Sequence, residues 1–285
     1  MGCRRFTLRV LVAAAVAAVL AAPAAAQIGV SPPRLELTLA DGRASGALRL
    51  FNFGAEPVEV QTTAHSWDLD ESNEVRIVAP TEQSLDGWLI VNPLRFTIEP
   101  GRAQTVRLAV RARVEPTPGE HRAILYFEQL NAQRPGNQAT FTVSFRLGVA
   151  VYAYAEPVVR QARVEEVRAG PSAMELDISS SGNAHVRADG AYAVWRAEAW
   201  PGADLAVMPG TGEDAVVPDG VVAAGSLPRT PVLPGTTRTL VEPIEPPLPA
   251  GEYVAWISGA VEGEPVDRVL RLTVPQAPEE TAEAP

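Results

Sequence analysis

The chain contains no lysine: all 24 of its basic residues are arginine, set against 34 acidic residues, for a net charge of −10 over 285 residues. An acidic balance argues against nucleic acid as a partner, since phosphate binding requires a basic surface. Cysteine is almost as scarce, with the single residue Cys3. It precedes the first apolar run, so it is not placed like a lipid-modified cysteine, and with no second thiol a disulfide framework is excluded. Stability has to come from packing alone. Helical periodicity beyond two turns is missing as well, which excludes an α-helical or mixed architecture.

Chemistry-bearing constellations are also missing. His65, His121 and His185 stand far apart, with no acidic or cysteine neighbour at ligand spacing, so no metal site is expected. No G-x-S-x-G, paired-carboxylate or nucleophile pattern stands in a strand–turn–helix context. Gly182-Asn183-Ala184-His185 reads as a turn or strand start rather than a phosphate loop. Asp68, Asp70 and Glu71 lack the glycine and terminal glutamate of a calcium loop, and read as solvated loop charges. Neither a catalytic site nor a cofactor is expected.

What is present begins with an export leader. Arg4, Arg5 and Arg9 precede the apolar run Val10 to Ala22, which ends at the small-residue site Ala24-Ala25-Ala26. Cleavage before Gln27 removes Cys3 and three arginines but no acidic residue, taking the net charge from −10 to −13. The run is shorter than the roughly 20 residues of a membrane span, so a soluble, exported protein without a membrane span in its mature form is expected.

From Ile28 onward, short alternating or apolar segments are divided by Pro and Gly, the pattern of an all-β sandwich. Strands are expected at Arg34 to Leu39, Ala44 to Phe53, Val58 to Trp67, Trp88 to Val91, Phe96 to Ile98, Ala103 to Val114 and Arg122 to Leu130. The longest alternation follows: Phe141, Val143, Phe145, Leu147, Val149 and Val151 recur at every second position, with Thr140, Thr142, Ser144 and Arg146 on the other face. A strand from Phe141 to Val151 spans about 35 Å at roughly 3.3 Å per residue, well beyond the usual length.

Pro157 ends it, because proline cannot donate to a central ladder. A second strand set is expected at Ala162 to Val167, Met174 to Ser179, Ala191 to Trp200, Arg238 to Val241, Tyr253 to Val261 and Asp267 to Val274. Pro201 to Pro231 reads as mostly loop, and Trp195, Trp200 and Trp256 as builders of the second core. The expected organisation is a signal peptide at 1–26, one immunoglobulin-like domain at 27–156, another at 157–275, and a disordered acidic tail at 276–285.

These residues resemble the periplasmic chaperones of the chaperone-usher pilus pathway, built from two immunoglobulin-like domains. The resemblance is carried by Ile28-Gly29-Val30-Ser31-Pro32-Pro33-Arg34, by Trp88 through Gly101 (WLIVNPLRFTIEPG) and by Gln104-Thr105-Val106-Arg107. It implies that alternating apolar residues of the first domain's last strand complete an unfinished pilin-like subunit by strand addition. Anchored on Pro157, the donor positions fall on Val143, Phe145 and Leu147, with Phe141 one step earlier. It also implies a basic pair at the interdomain cleft that clamps the subunit's C-terminal carboxylate. Arg34 takes the arginine position, while Tyr152 stands where the family has lysine.

The function so implied is that of a non-enzymatic periplasmic chaperone for pilus or fimbria assembly, its partners being pilin-like subunits and an outer-membrane usher. An alternative is a structural or adhesive cell-envelope protein with a chaperone-like fold, in which the long strand packs at home. The missing lysine favours that alternative.

Overall fold

The computed structural model describes residues 28–130, 145–210 and 217–276. The expected leader, Phe141 and Val143 of the alternating run, and all but the first residue of the acidic tail lie outside the described residues. The first half of the chain forms β1 (Ile28–Ser31), β2 (Arg34–Thr38), β3 (Arg43–Asn52), β4 (Val58–His65), β5 (Trp67–Leu69), β6 (Val75–Ile77), β7 (Leu89–Asn92), β8 (Arg95–Ile98), β9 (Ala103–Arg111), β10 (Gly119–Gln129) and β11 (Arg146–Ala155). The second half forms β12 (Ala162–Ala169), β13 (Ala173–Ser180), β14 (Ala188–Arg196), β15 (Val221–Ser226), β16 (Thr237–Pro243), β17 (Gly251–Val261) and β18 (Glu264–Val274).

Two sandwiches result. In the first, the sheet β1-β3-β9-β7 faces the sheet β2-β11-β10-β4-β8. Leu48, Leu50, Val106 and Leu108 come from one sheet, and Val60, Leu125, Phe127, Val149 and Val151 from the other, into one buried cluster. Each set recurs at every second position, so one face of each strand is spent on the core. In the second, β12-β13-β16 faces β15-β14-β17-β18 over a core that includes Leu176, Ile178, Val194, Leu240, Tyr253 and Ile257. The all-β, two-sandwich architecture expected from the alternation is the one observed.

At Ser31-Pro32-Pro33 the chain crosses between sheets. β1 pairs antiparallel with β3, whereas β2 pairs parallel with β11 in the opposite sheet, starting at Arg34 opposite Ala150. Two prolines, which have no N–H to offer a ladder, suit the crossing.

Two expectations are refined and a third is corrected. The stretch read as mostly loop contains β15, an edge strand paired with β14. The Asp68 to Glu71 charges belong to a β5–β6 hairpin: Asp70 Oδ1 accepts the N–H groups of Ser72 and Glu74, each at 2.9 Å, and so closes the turn. The tryptophans lie outside the second core, because Tyr192 and Val194 already point inward from β14 and period two turns Trp195 the other way. Trp195, Trp200 and Trp256 pack on one another across the sheet's outer face, with ring centroids 4.8 Å to 6.4 Å apart.

A third cluster joins the sandwiches. Trp67, Leu69, Ile124, Tyr152 and Tyr154 of the first half meet Ala184 and Leu233 of the second. Backbone contact is close there: Glu120 N–H donates to Asn183 O at 2.9 Å. Gly119, at φ +115, has no room for a side chain, since a Cβ would lie 2.4 Å from the Asn183 carbonyl oxygen. Among the described residues, no helix is long and apolar enough to cross a membrane.

Candidate functional site

β11 is paired with β10 along its whole length, from Arg146 opposite Glu128 to Ala155 opposite Gly119. Its other edge is covered by β2 only from Ala150 to Tyr154. Over Arg146 to Val149 no described strand covers that edge, because the preceding chain has left for the opposite sheet at the two prolines. An uncovered edge of this kind is a template for another strand.

Of the four expected donor residues, Phe145 and Leu147 are described. Both are half-buried and pack against the first core, in phase with the fully buried Val149 and Val151. The apolar face read from sequence is therefore continuous with this domain's own core. On the opposite face Arg146 bonds Glu128 at 2.7 Å and its guanidinium lies over the Tyr126 ring at 3.8 Å. That arrangement ties it to its own strand pair, away from the cleft.

The cleft brings Arg34 and Tyr152 together. Arg34 pairs with Ala150 and Tyr152 lies two residues further along β11, so both side chains stand on the sheet's outer face about 7 Å apart along the strand. Both line a cavity of about 390 Å³ between the two halves of the molecule. Arg34 is exposed and its Nε donates to Glu36 at 2.7 Å. Tyr152 is 1% exposed. Burial, with a smaller push from the Glu120 charge, raises its hydroxyl to about 12 against the pull of Arg187 and Arg122, so it is a neutral phenol.

The residue that sequence reasoning missed is Arg187. It lies just ahead of β14, lines the same cavity, and donates from Nη2 to the Tyr152 hydroxyl at 3.0 Å. Its Nε donates to His185 Nε2 at 3.1 Å and its Nη1 to the Arg229 carbonyl at 2.5 Å. Because arginine can only donate, His185 Nε2 must accept, which puts the ring proton on Nδ1. Nδ1 in turn donates to Glu120 Oε2 at 2.5 Å, and the His185 backbone N–H reaches the same oxygen at 2.9 Å. The His185 ring also lies 4.4 Å from the Tyr152 ring.

The Glu120 side chain is fully buried at the start of β10. Burial raises its pKa, but the His185 contacts and the Arg122 guanidinium, 3.5 Å away, outweigh it and hold the carboxyl below its ordinary value. The chain Glu120–His185–Arg187–Tyr152 thus runs from the first sandwich into the second and back, and fixes a guanidinium over the cleft. Nothing in the local sequence around Arg187 marks it out. Among the described residues, no group of three or more histidine, cysteine, aspartate or glutamate side chains is placed to hold a metal.

No protein-family model matches the chain, and no curated protein matches it. Among solved structures, the chain is similar to the YadV chaperone at 12% identity with a TM-score of 0.46, over 87% of this chain and 100% of that one. The Pseudomonas aeruginosa CupB2 chaperone aligns at 16% identity with a TM-score of 0.43, over 85% of this chain and 100% of its own. A complex of a chaperone with a tip subunit, CsuC–CsuE from the Csu pili of Acinetobacter baumannii, aligns at 14% identity with a TM-score of 0.43, over 86% and 98%.

Proposed function

We propose that this protein is a periplasmic chaperone that binds and stabilises pilin-like subunits by strand addition along β11, holding them for assembly into a pilus or fimbria. Residues 27–156 and 157–275 form its two domains. The observation that carries the reading is the open edge of β11 at Arg146 to Val149, which leads directly to the arginines of the cleft. A strand added in line with β2 finds backbone partners there, and alternate side chains of the Phe141, Val143, Phe145 and Leu147 run complete its unfinished core.

The cleft also selects the direction of the guest. A guest parallel to β11 points its C-terminus at Arg34, Tyr152 and Arg187; an antiparallel guest presents an ammonium to two guanidiniums. Charge favours the parallel guest, with its terminal carboxylate as the anchored group.

The test is co-purification of a pilin-like subunit from periplasm. Expected is loss of capture in a Phe141→Glu Val143→Glu variant and in a Phe145→Glu Leu147→Glu variant that keeps its circular dichroism. Retention is expected in Val241→Glu, a substitution at an exposed site on β16. Equal capture by all three variants overturns the reading. The packing of Phe145 and Leu147 on their own core favours the second reading, a structural envelope protein in which β11 stays at home; absence of any captured subunit supports that instead.

A further inference from the structure

The sheet β1-β3-β9-β7 turns one face to the first core and the other to solvent, and the solvent face carries charge of one sign. Its register sets Arg43 opposite Arg111, Ala47 opposite Arg107 and Arg49 opposite Thr105. Leu48, Leu50, Val106, Leu108 and Val110 alternate with these and are buried, so the arginines point outward. All four are exposed. The four strands of the sheet contain no aspartate or glutamate, in a chain with 34 acidic residues against 24 arginines.

Such a face is costly to the isolated molecule. Arg43 and Arg111 are like charges directly opposed across a strand pair, which destabilises the pair. Among the described residues none of the four arginines forms an ion pair, and Arg49 alone finds a partner, lying over the Phe51 ring at 5.2 Å. The compensating anion comes from outside, and it is not compact. Arg43 and Arg49 are six residues apart on β3, about 20 Å at roughly 3.3 Å per residue, so the guanidiniums cannot converge on one phosphate or carboxylate. Ser45, Ala47 and Ala109 between them are short, which leaves the guanidiniums as the tallest groups on a broad, low surface. Apolar groups are exposed beside them: Ile90, opposite Ala109 on the same face, is 51% exposed, and Phe53, stacked on Phe51 with ring centroids 6.0 Å apart, is 68% exposed. Arginines with exposed apolar side chains among them suit the boundary between lipid headgroups and acyl chains, where both are accommodated. An acidic protein surface would satisfy the arginines alone.

We infer that this face docks on an anionic phospholipid surface, with Arg43, Arg49, Arg107 and Arg111 against the headgroup phosphates and Phe53 in the interfacial layer. Guanidinium matches phosphate with two parallel hydrogen bonds, which a lysine cannot do. Each arginine near such a surface contributes about fivefold in affinity, the equivalent of roughly 1 kcal/mol, and the attraction fades within a Debye length of about 10 Å at 0.1 M salt. The acidic excess lies elsewhere on the chain and is repelled by the same lipid, so one orientation is selected. β11 belongs to the other sheet of the sandwich, and its open edge stays clear of the membrane in that orientation.

The test is co-sedimentation of the purified protein with vesicles of phosphatidylcholine and with vesicles of phosphatidylcholine and phosphatidylglycerol in equal parts, at low and at physiological salt. Binding is expected to the mixed vesicles only and to weaken as salt rises. An Arg43→Gln Arg107→Gln variant should bind them roughly tenfold or more weakly, and Phe53→Ser should also lose affinity. Arg163→Gln Arg268→Gln removes the same charge from exposed sites on the second sandwich and should bind as the unmodified protein does. Both double variants should melt with the parent, since the two arginines on the basic face have no ion-pair partner in the fold to lose. Equal binding to both kinds of vesicle, or equal loss in the two double variants, would overturn the inference. A lower melting temperature in Arg43→Gln Arg107→Gln alone would assign these arginines to the fold and overturn it too. So would a protein that ignores the mixed vesicles but captures polyglutamate through the same arginines, because the face then takes an acidic polypeptide.

Discussion

Glu120 sets the acid limit of the interdomain contact. The folded state holds it ionised to a lower pH than the unfolded chain does, so its contribution is complete above the ordinary glutamate value of about 4.3 and is lost as the pH falls through the folded value beneath that. Glu120→Gln should cost about 1.5–3 kcal/mol at pH 7, the worth of hydrogen bonds to a charged group. In denaturant melts from pH 7 to pH 3, the gap between the two proteins should close below about pH 4. A gap that persists unchanged to pH 3 would mean that the carboxylate charge contributes nothing. The sequence marks Arg34 and Tyr152 by their offsets from Pro33 and Pro157, and both reach the cleft. It does not mark Arg187, His185 or Glu120 as a unit, because these meet only when two separate sandwiches dock, and no local spacing encodes that.

At the scale of elements, the strands easiest to read are those with a clean apolar face, such as β3, β9, β10 and β11, whose inward residues pack into the first core. β15 escaped because Val221 to Ser226 is short, rich in alanine and glycine, and flanked by proline-rich chain that reads as loop. The β5–β6 hairpin escaped because its turn is acidic and β6 is exposed throughout. That hairpin is held from outside itself: Arg238 on β16 donates to the Leu69 carbonyl at 2.8 Å and to the Asp70 carbonyl, and Asn73 Nδ2 donates to the Thr239 carbonyl at 2.8 Å. Arg238→Ala should release it, raising amide exchange in β5 and β6 at least tenfold with little change across β3 and β9. Uniform exchange in the variant and the parent would mean that Trp67 and Leu69, packed beneath, hold the hairpin unaided.

For the whole molecule, the question is whether two sandwiches with separate cores unfold as one. The third cluster argues that they do, since Tyr152, Ile124 and Trp67 of the first half are buried in it together with Ala184 and Leu233 of the second. Leu233 comes from the second half and is 1% exposed, yet belongs to neither sandwich core. A charge placed there is buried without a partner and drives the halves apart, while each keeps its own core intact. Calorimetry should give one transition for the unmodified protein and two for Leu233→Asp. If Leu233→Asp melts in a single transition, coupling between the sandwiches runs through the Glu120–His185 contact and the Gly119–Asn183 approach instead.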